Sequence, residues 1–523
     1  MAITTLPMKK WLFYCLAFFE GLLVMAVEIL AASYIKPIYG ASLTVWTNVL
    51  AVTLIGLALG YFIGGQISKK KNLNILNPIW IATGVLLLIL PTLMSKSHLF
   101  WIGIETMPGS LLLTATVLFI PITLLGCVIP ITVKQLSNNI SETGNDTGML
   151  FMLSSIGGIT SAILTGFWLL PKYGTTTCLA IFGLLPIGLG IIGYLSNRQF
   201  LPIITLPLII SLLMYSKIIL PTEHSMQLIY SAEGIMGNIK VVTQPYPSRY
   251  RGAQQAQTLF VNNIEQTSMR VDQPQYSAYD YAYYFPTATS IYPPGSKALL
   301  LGLGGGTIVK QFNRLGFDLT VCELDERIKE TAINFFEVNP KTNIVVDDAR
   351  HFCETSSDKY KVICYDMYHS EMPPYHLLTK EAFSTVYNLL DVDGLLIINF
   401  FGRIKGDNGK SARCIYKTLE AAGYQLTMFI TPNQPDNRNL IYLASKKPLD
   451  FSTVNYQEPG LPKLNSISPH IMDVSNVDFS DAIILTDNFP VFPLIYEAAA
   501  KSFKKSQTDY YTKKFIANGI SPY

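Results

Sequence analysis

The chain has 523 residues, half of them hydrophobic and only 14% charged, with a net charge of +3. That length allows two or three domains, and the scarcity of charge argues against a wholly soluble protein. So small a positive charge, with no stretch interleaving basic and aromatic residues along one face, excludes nucleic acid as the expected partner.

The apolar excess lies before residue 221, where spans are predicted at 11–34, 43–66, 75–95, 109–133, 148–171, 176–195 and 200–220. Each is long enough, or nearly so, to cross about 30 Å of hydrocarbon as a helix. The first has a basic start, but it is long, carries Glu20 and Glu28, and is followed by more spans, so a retained helix is expected rather than a cleaved signal peptide. Carboxylates in hydrocarbon are costly unless they face the bundle interior, a cavity or a partner, or reach the interface. Glycines in GLALGYFIGG (56–65) and GGITSAILTG (157–166) recur at helical spacing and allow close helix packing.

Seven spans put Lys9, Lys10, Lys69, Lys70, Lys71, Lys134 and Arg198 on one side and Lys36, Lys96 and Lys172 on the other, which places the N-terminus in the cytoplasm. Seven crossings would then leave the second half outside, whereas its pocket suits a cytosolic metabolite. The stretch 98–134, with Glu105, Pro108, Pro121 and Pro130, is where a re-entrant or additional pass is expected. Seven scattered cysteines, without CxxC or metal spacing, read as free buried thiols, and no metal is expected.

From residue 223 the pattern becomes alternating. MQLIYSAEGIMGNIKVVTQ and QAQTLFVNNIEQTSMRV predict strands of a small antiparallel sheet, joined by turns around Gly234, Gly237 and YPSRYRG. Strands follow at 297–302, 318–323, 343–346, 361–366, 394–400, 424–430 and 440–445, with helices at 305–315, 325–336, 379–390 and 409–422. This alternation predicts an α/β Rossmann-like domain whose ligand sits at the carboxyl ends of the strands. The expected domains are a transmembrane helical bundle (1–222), a small β-domain (223–295), a nucleoside-binding domain (296–450) and a C-terminal extension packed on it (451–523).

The chemistry gathers at those strand ends. Gly302, Gly304, Gly305 and Gly306 follow the first strand, where backbone without Cβ can turn tightly and approach a ligand. About 20 residues on, Glu323 ends the second strand and can take both ribose hydroxyls. Asp348, after the third, is placed to accept from an adenine amino group. Asp366 stands at the tip of the fourth, followed by a loop with His369, Glu371, Pro373 and Pro374, and a carboxylate there can take a proton from an attacking amine.

These motifs resemble the spermidine synthase (polyamine aminopropyltransferase) family from about residue 227 to 400, and the whole chain resembles its membrane-fused bacterial branch. GLGGG matches the family's nucleoside loop, CELDE its ribose acid, DDAR its adenine-side acid with Asp348 and Ala349, and YDMYHSEMPPYHLLTKEAF its active-site loop with Asp366 at the acid–base position. Gln266 lies where the family has a nucleoside-contacting Gln, and ILTDNFPVF (484–492) resembles the tail motif of the fused branch. The resemblance implies a class I methyltransferase-like sheet preceded by a β-domain, and a bacterial inner-membrane protein with a cytoplasmic catalytic domain. Three departures stand out: Gly305, His369 and Asn262 occupy positions where the soluble enzymes have acids. Asp280, Asp272 and the tyrosines around them, including Tyr279, are candidates to compensate at the acceptor.

The resemblance implies transfer of an aminopropyl group from decarboxylated S-adenosylmethionine to a putrescine-like amine, with release of methylthioadenosine. Two alternatives stay open: intact S-adenosylmethionine, cleaved internally or used for methyl transfer, and a nucleoside sensor that gates the membrane bundle without turnover. The lipid bilayer is the expected environment, and homodimer formation is left open.

Overall fold

The computed structural model describes residues 10–39, 43–69, 75–102, 104, 106–137, 140–196, 222–234, 236–245, 255–368, 372–431, 438–459 and 464–522. The chain divides into two compact units, one of Met1–Glu223, Ala232–Asn238 and Thr512–Tyr523, the other of His224–Ser231 and Ile239–Tyr511.

Five helical stretches of the first unit are long and apolar enough to cross a membrane: Lys10–Tyr39, Val45–Ile67, Leu76–Met94, Pro108–Leu136 and Thr143–Leu195. The last contains a break at Gly174, whose φ of 75° and ψ of 170° are not helical. It therefore takes in both predicted spans 148–171 and 176–195, while the predicted span 200–220 lies outside the described residues. Within Pro108–Leu136 the chain is divided into short segments. Short helices joined by a five-residue π-turn, Ala115–Phe119, make one candidate span, and Pro121 sits in the first turn of helix Ile120–Gly126, where a missing N–H costs nothing.

Small residues set how closely these helices approach. A Cβ on Gly21 would meet the Ser154 carbonyl oxygen at 1.8 Å, one on Gly157 the Phe18 carbonyl oxygen at 2.0 Å, and one on Gly60 the Thr123 carbonyl oxygen at 2.4 Å. Glu20 is 1% exposed and accepts from the Ser154 hydroxyl at 2.6 Å, so it faces the interior of the bundle. Phe167 and Trp168, 73% and 71% exposed, lie on an apolar outer surface of the kind that hydrocarbon covers.

The second unit holds two main sheets. Strands β1 (Gln227–Ala232), β2 (Ile239–Gln244), β3 (Ala256–Val261) and β4 (Ile264–Arg270) form an antiparallel sheet in that order. β3 and β4 are joined by the two residues Asn262 and Asn263, both at positive φ (51° and 63°), the geometry that suits the twist of a hairpin. Asn tolerates that region better than most residues, and Lys240 Nζ donates to Asn263 Oδ1 at 2.9 Å beneath the turn.

The larger sheet comprises β5 (Lys297–Leu301), β6 (Asp318–Glu323), β7 (Asn343–Val346), β8 (Tyr360–Tyr365), β9 (Leu390–Gly402), β10 (Gln425–Ile430) and β11 (Arg438–Ser445), in the order β10-β11-β9-β8-β5-β6-β7. β5 to β9 run parallel, and β11 is antiparallel to both its neighbours. Successive strand residues face opposite sides. Leu299, Leu301, Ile363 and Tyr365 therefore enter one core, and Ala298, Leu300, Val362 and Cys364 the other. The chain leaves β5 towards β7 and returns to β8 on the other side of β5, which opens the crevice where ligands of such sheets bind.

The tail segment clips two helices together. Asp487 accepts from Arg350 at 2.8 Å and from the Thr379 hydroxyl at 2.6 Å, while the Leu485 carbonyl accepts from Lys380 N at 2.8 Å. All seven cysteines are free, six of them buried.

Candidate active site

β5 ends in a loop that backbone geometry reserves for glycine at three positions: Gly302, Gly304 and Gly306 have φ of 93°, 51° and 71°. Gly302 is also crowded, since a Cβ there would lie 2.4 Å from the Asp366 carbonyl oxygen. Its N–H donates to Cys322 O at 2.9 Å, and Asp366 N–H donates to Leu301 O at 3.0 Å, so the tips of β6, β5 and β8 are laced together.

Gly305 differs from its neighbours in being closed off by packing. Its N–H donates to Thr267 Oγ1 on β4 at 2.9 Å, and a Cβ would meet Thr267 Cγ2 at 2.6 Å and Phe336 Cδ1 at 3.0 Å. The Cβ direction at this position is filled by Thr267 of β4 and by Phe336. Gln266, adjacent on β4, is partly open.

Glu323 ends β6 with its carboxylate tied to backbone: Oε2 accepts from Leu303 N and Oε1 from Asp325 N, both at 2.9 Å. Burial pushes its pKa up, and these backbone donors counter the rise. Each carboxylate oxygen retains a second lone pair for a ligand hydroxyl. Asp348 caps the helix Ala349–Thr355, Oδ1 accepting from Arg350 N at 2.8 Å and His351 N at 3.2 Å. Its Oδ2 lies 3.4 Å from His376 Nε2, and Ala349 is buried as the first residue of that helix. Asp347 N donates to Glu323 O at 3.1 Å, which joins the β6 and β7 tips.

Asp366 follows β8, lying deep in the fold while keeping part of its surface open, the situation of a group on the floor of a cleft. Oδ1 accepts from Asn399 Nδ2 at 2.8 Å and Oδ2 from the Tyr281 hydroxyl at 3.3 Å. Burial raises its pKa to about 6, with the two donors pulling the other way. Asn439 Nδ2 donates to Asn399 Oδ1 at 2.8 Å, which orients the Asn399 amide. Tyr279 and Tyr281 lie side by side with ring centroids 6.0 Å apart, and Asp280 opens the 3-10 turn Asp280–Tyr283 between them. His369 lies outside the described residues.

Sequence reasoning missed Asn399, Asn439 and Tyr281's bond to Asp366. The hydrophobic alternation of β4, β9 and β11 reports which residues are strand, and it says nothing of which polar side chain meets Asp366.

Residues 286–447 match the family pattern described as the spermine/spermidine synthase domain. The chain is 24% identical over 216 residues to a probable polyamine aminopropyl transferase of Bifidobacterium longum, covering 38% of this chain and 48% of the relative. A polyamine aminopropyltransferase of Vibrio vulnificus is 25% identical over 213 residues, 38% of this chain and 69% of the relative. An N-terminal histidine N-methyltransferase of Emericella nidulans is 32% identical over 115 residues, 21% of each chain. The chain thus spans about a fifth of the methyltransferase and about half of the Bifidobacterium protein. A crystal structure of a probable spermidine synthase from Corynebacterium glutamicum aligns with a TM-score of 0.36 and 19% identity over 44% of this chain and 83% of that one. The matched stretch begins within the helix Tyr284–Thr289 and ends just past β11, so it takes in the glycine loop, Glu323, Asp348 and Asp366 and leaves out Gln266.

Proposed function

We propose that the protein is a membrane-bound aminopropyltransferase that moves an aminopropyl group from decarboxylated S-adenosylmethionine to an amine and releases methylthioadenosine. The observation that carries this reading is Asp366, a deep, partly open carboxylate beside the glycine loop, oriented by Asn399 and Tyr281. Glu323, Asp348, Ala349 and Gln266 hold the nucleoside, and the backbone of Gly302, Gly304, Gly305 and Gly306 cradles the sulfonium tail. Asp366 takes a proton from the acceptor's ammonium, the freed nitrogen lone pair attacks the carbon next to sulfur, and the C–S electron pair leaves with the neutral thioether. With its pKa raised to about 6, Asp366 is mostly ionised at neutral pH and remains a stronger base than an ordinary carboxylate. The sulfonium is a good leaving group, so most of the rate comes from in-line positioning and from removing the acceptor's proton.

A second reading is favoured by Gly305. Thr267 and Phe336 fill its Cβ direction, so no acid at 305 repels the carboxylate of intact S-adenosylmethionine. Product analysis with both donors, with and without putrescine, separates the two. Aminopropylated putrescine from the decarboxylated donor supports the transferase. Methylthioadenosine from intact donor without any amine would replace it with internal cleavage, and binding without turnover would move the reading to a sensor.

The bilayer is the expected environment because five helices are long and apolar enough to span it. We place the synthase domain in the cytoplasm of a bacterium, supported by a metabolite donor made there and by seven free cysteines. A reporter enzyme active only in the periplasm, fused after residue 222, is expected to stay inactive, and activity would reverse the placement.

A further inference from the structure

We propose that the first unit holds a site of its own for the phosphoethanolamine headgroup of a bilayer lipid. The inference rests on the bilayer placement above and is independent of the reaction.

The site is a partly open cavity of about 310 Å³ lined by Ser33, Tyr34, Lys36, Thr175, Glu233 and Asn238, all of them residues of the first unit. Lys36 stands in the last turn of the helix Lys10–Tyr39, at the negative end of its dipole, where a cation is favoured. After the break at Gly174 the helix restarts at Thr175, and the Thr175 N–H donates to the Glu233 carboxylate. A Cβ on Gly174 would meet Glu233 Cδ at 2.9 Å, so the glycine lets that carboxylate lie against the helix start. Tyr34, Lys36, Thr175 and Asn238 are buried. A lysine and a glutamate therefore share one cavity that water enters only in part.

The two charges select the ligand. A lone anion would meet the Glu233 carboxylate and a lone cation the Lys36 ammonium, whereas a neutral molecule carrying both signs satisfies each. Glu233 gives one oxygen to Thr175 and keeps lone pairs for an ammonium. Lys36 and the Asn238 amide are donors for a phosphate. The level of the cavity makes that molecule a lipid. Lys36 Nζ lies 5.7 Å from the centroid of the Trp46 ring, and Lys172 Nζ lies 5.3 Å from that of Tyr173. Both rings are exposed, and exposed aromatic rings beside lysines at the ends of apolar helices mark where hydrocarbon meets water. Lys36 and Thr175, which line the cavity, thus sit at the depth of the headgroups.

The test uses the full chain in detergent micelles doped with equal amounts of phosphatidylethanolamine, phosphatidylcholine and phosphatidylglycerol, with bound lipids counted by native mass spectrometry. The wild type is expected to retain phosphatidylethanolamine about tenfold more than either other lipid, because a methylated choline cannot donate to Glu233 and glycerol brings no ammonium. Equal retention of the three, which needs no variant to observe, would mean that Lys36 and Glu233 serve only each other and would overturn the proposal. Glu233→Gln keeps an acceptor for Thr175 N and should erase the preference for phosphatidylethanolamine over phosphatidylglycerol. Lys36→Gln should lower retention of both about tenfold. Lys172→Gln, at the same level but outside the cavity, should change retention less than about twofold; a fall as large as that of Lys36→Gln would make the effect a general surface attraction and overturn the site. Glycerophosphoethanolamine that displaces the lipid at equal concentration would reassign the cavity to a soluble zwitterion and overturn the lipid. Retention is read without turnover, so a protein inactive with every donor still decides the site, whereas a chain that stays in solution without detergent would fail the bilayer placement on its own.

Discussion

Asn399 donates its side-chain amide to Oδ1 of Asp366 at 2.8 Å. Because Asn439 occupies the Asn399 carbonyl, the amide nitrogen is the end that faces the carboxylate. A donor at that point favours the ionised acid and opposes the burial that lifts Asp366 to about 6. Asn399→Ala is expected to raise that pKa further, so the acidic limb of the kcat/KM profile should move upward by about one pH unit. A limb that stays near 6 would mean that another group sets it.

Asp366→Asn should reduce turnover by about 10²–10⁴-fold and leave methylthioadenosine affinity nearly unchanged, measured by single-turnover kinetics and calorimetry. The same change should affect stability with a pH-dependent sign. The native carboxyl titrates near 6 against 3.8 for the ordinary group, so the native state holds the extra proton between about pH 4 and 6 and loses that stabilisation as pH rises through 6. At pH 8 an ionised Asp366 costs on the order of 3 kcal/mol, a figure the two shifted pKa values set. Asp366→Asn should therefore unfold at a higher temperature than wild type at pH 8, with the advantage fading by pH 4.

Glu323 ties the end of β6 to the glycine loop by accepting from Leu303 N. Glu323→Gln keeps one accepting oxygen and turns an NH₂ towards a backbone N–H, leaving a buried donor unsatisfied. Methylthioadenosine affinity should fall at least about tenfold, and hydrogen exchange at Leu303 and Gly304 should speed up even without ligand. Loss of affinity with unchanged exchange would confine Glu323 to the ligand alone.

Gly305→Ala introduces a methyl 2.6 Å from Thr267 Cγ2, an overpacked contact worth about 1–3 kcal/mol of destabilisation. Adding Thr267→Ala should recover part of that loss, and a double-mutant cycle by chemical denaturation measures the coupling. Additive effects would show that the β-domain is not what closes this position.

Much of the second unit was legible in the residues. The short apolar runs at 318–323 and 343–346, bounded by polar turns, coincide with β6 and β7, and the run at 361–366 lies one residue from β8, so Glu323 ends β6 and Asp366 follows β8. The helix Ala349–Thr355 was not legible, because it is two turns long and its only signal is Asp348, which sequence reads equally as a ligand group. The helix Phe492–Ala517 escaped as well, since Pro493, Thr508 and Thr512 blur its period and tertiary packing overrides that propensity. Asn262 reads as a departure from an acidic position, whereas the positive φ of Asn262 and Asn263 makes them the turn between β3 and β4.

The clip at Asp487 also bears on the order in which the molecule can be made. Arg350 meets its partner 137 residues later in the chain, so the helix that follows the β7 tip must wait until nearly the whole polypeptide has been synthesised. Long-range closures of this kind slow folding, because loop entropy is lost before the contact rewards it. The synthase domain is thus expected to finish folding only after its own last strand is complete. A chain that stops short of residue 484 should leave the ribosome with the Asp348 side of its crevice unfastened.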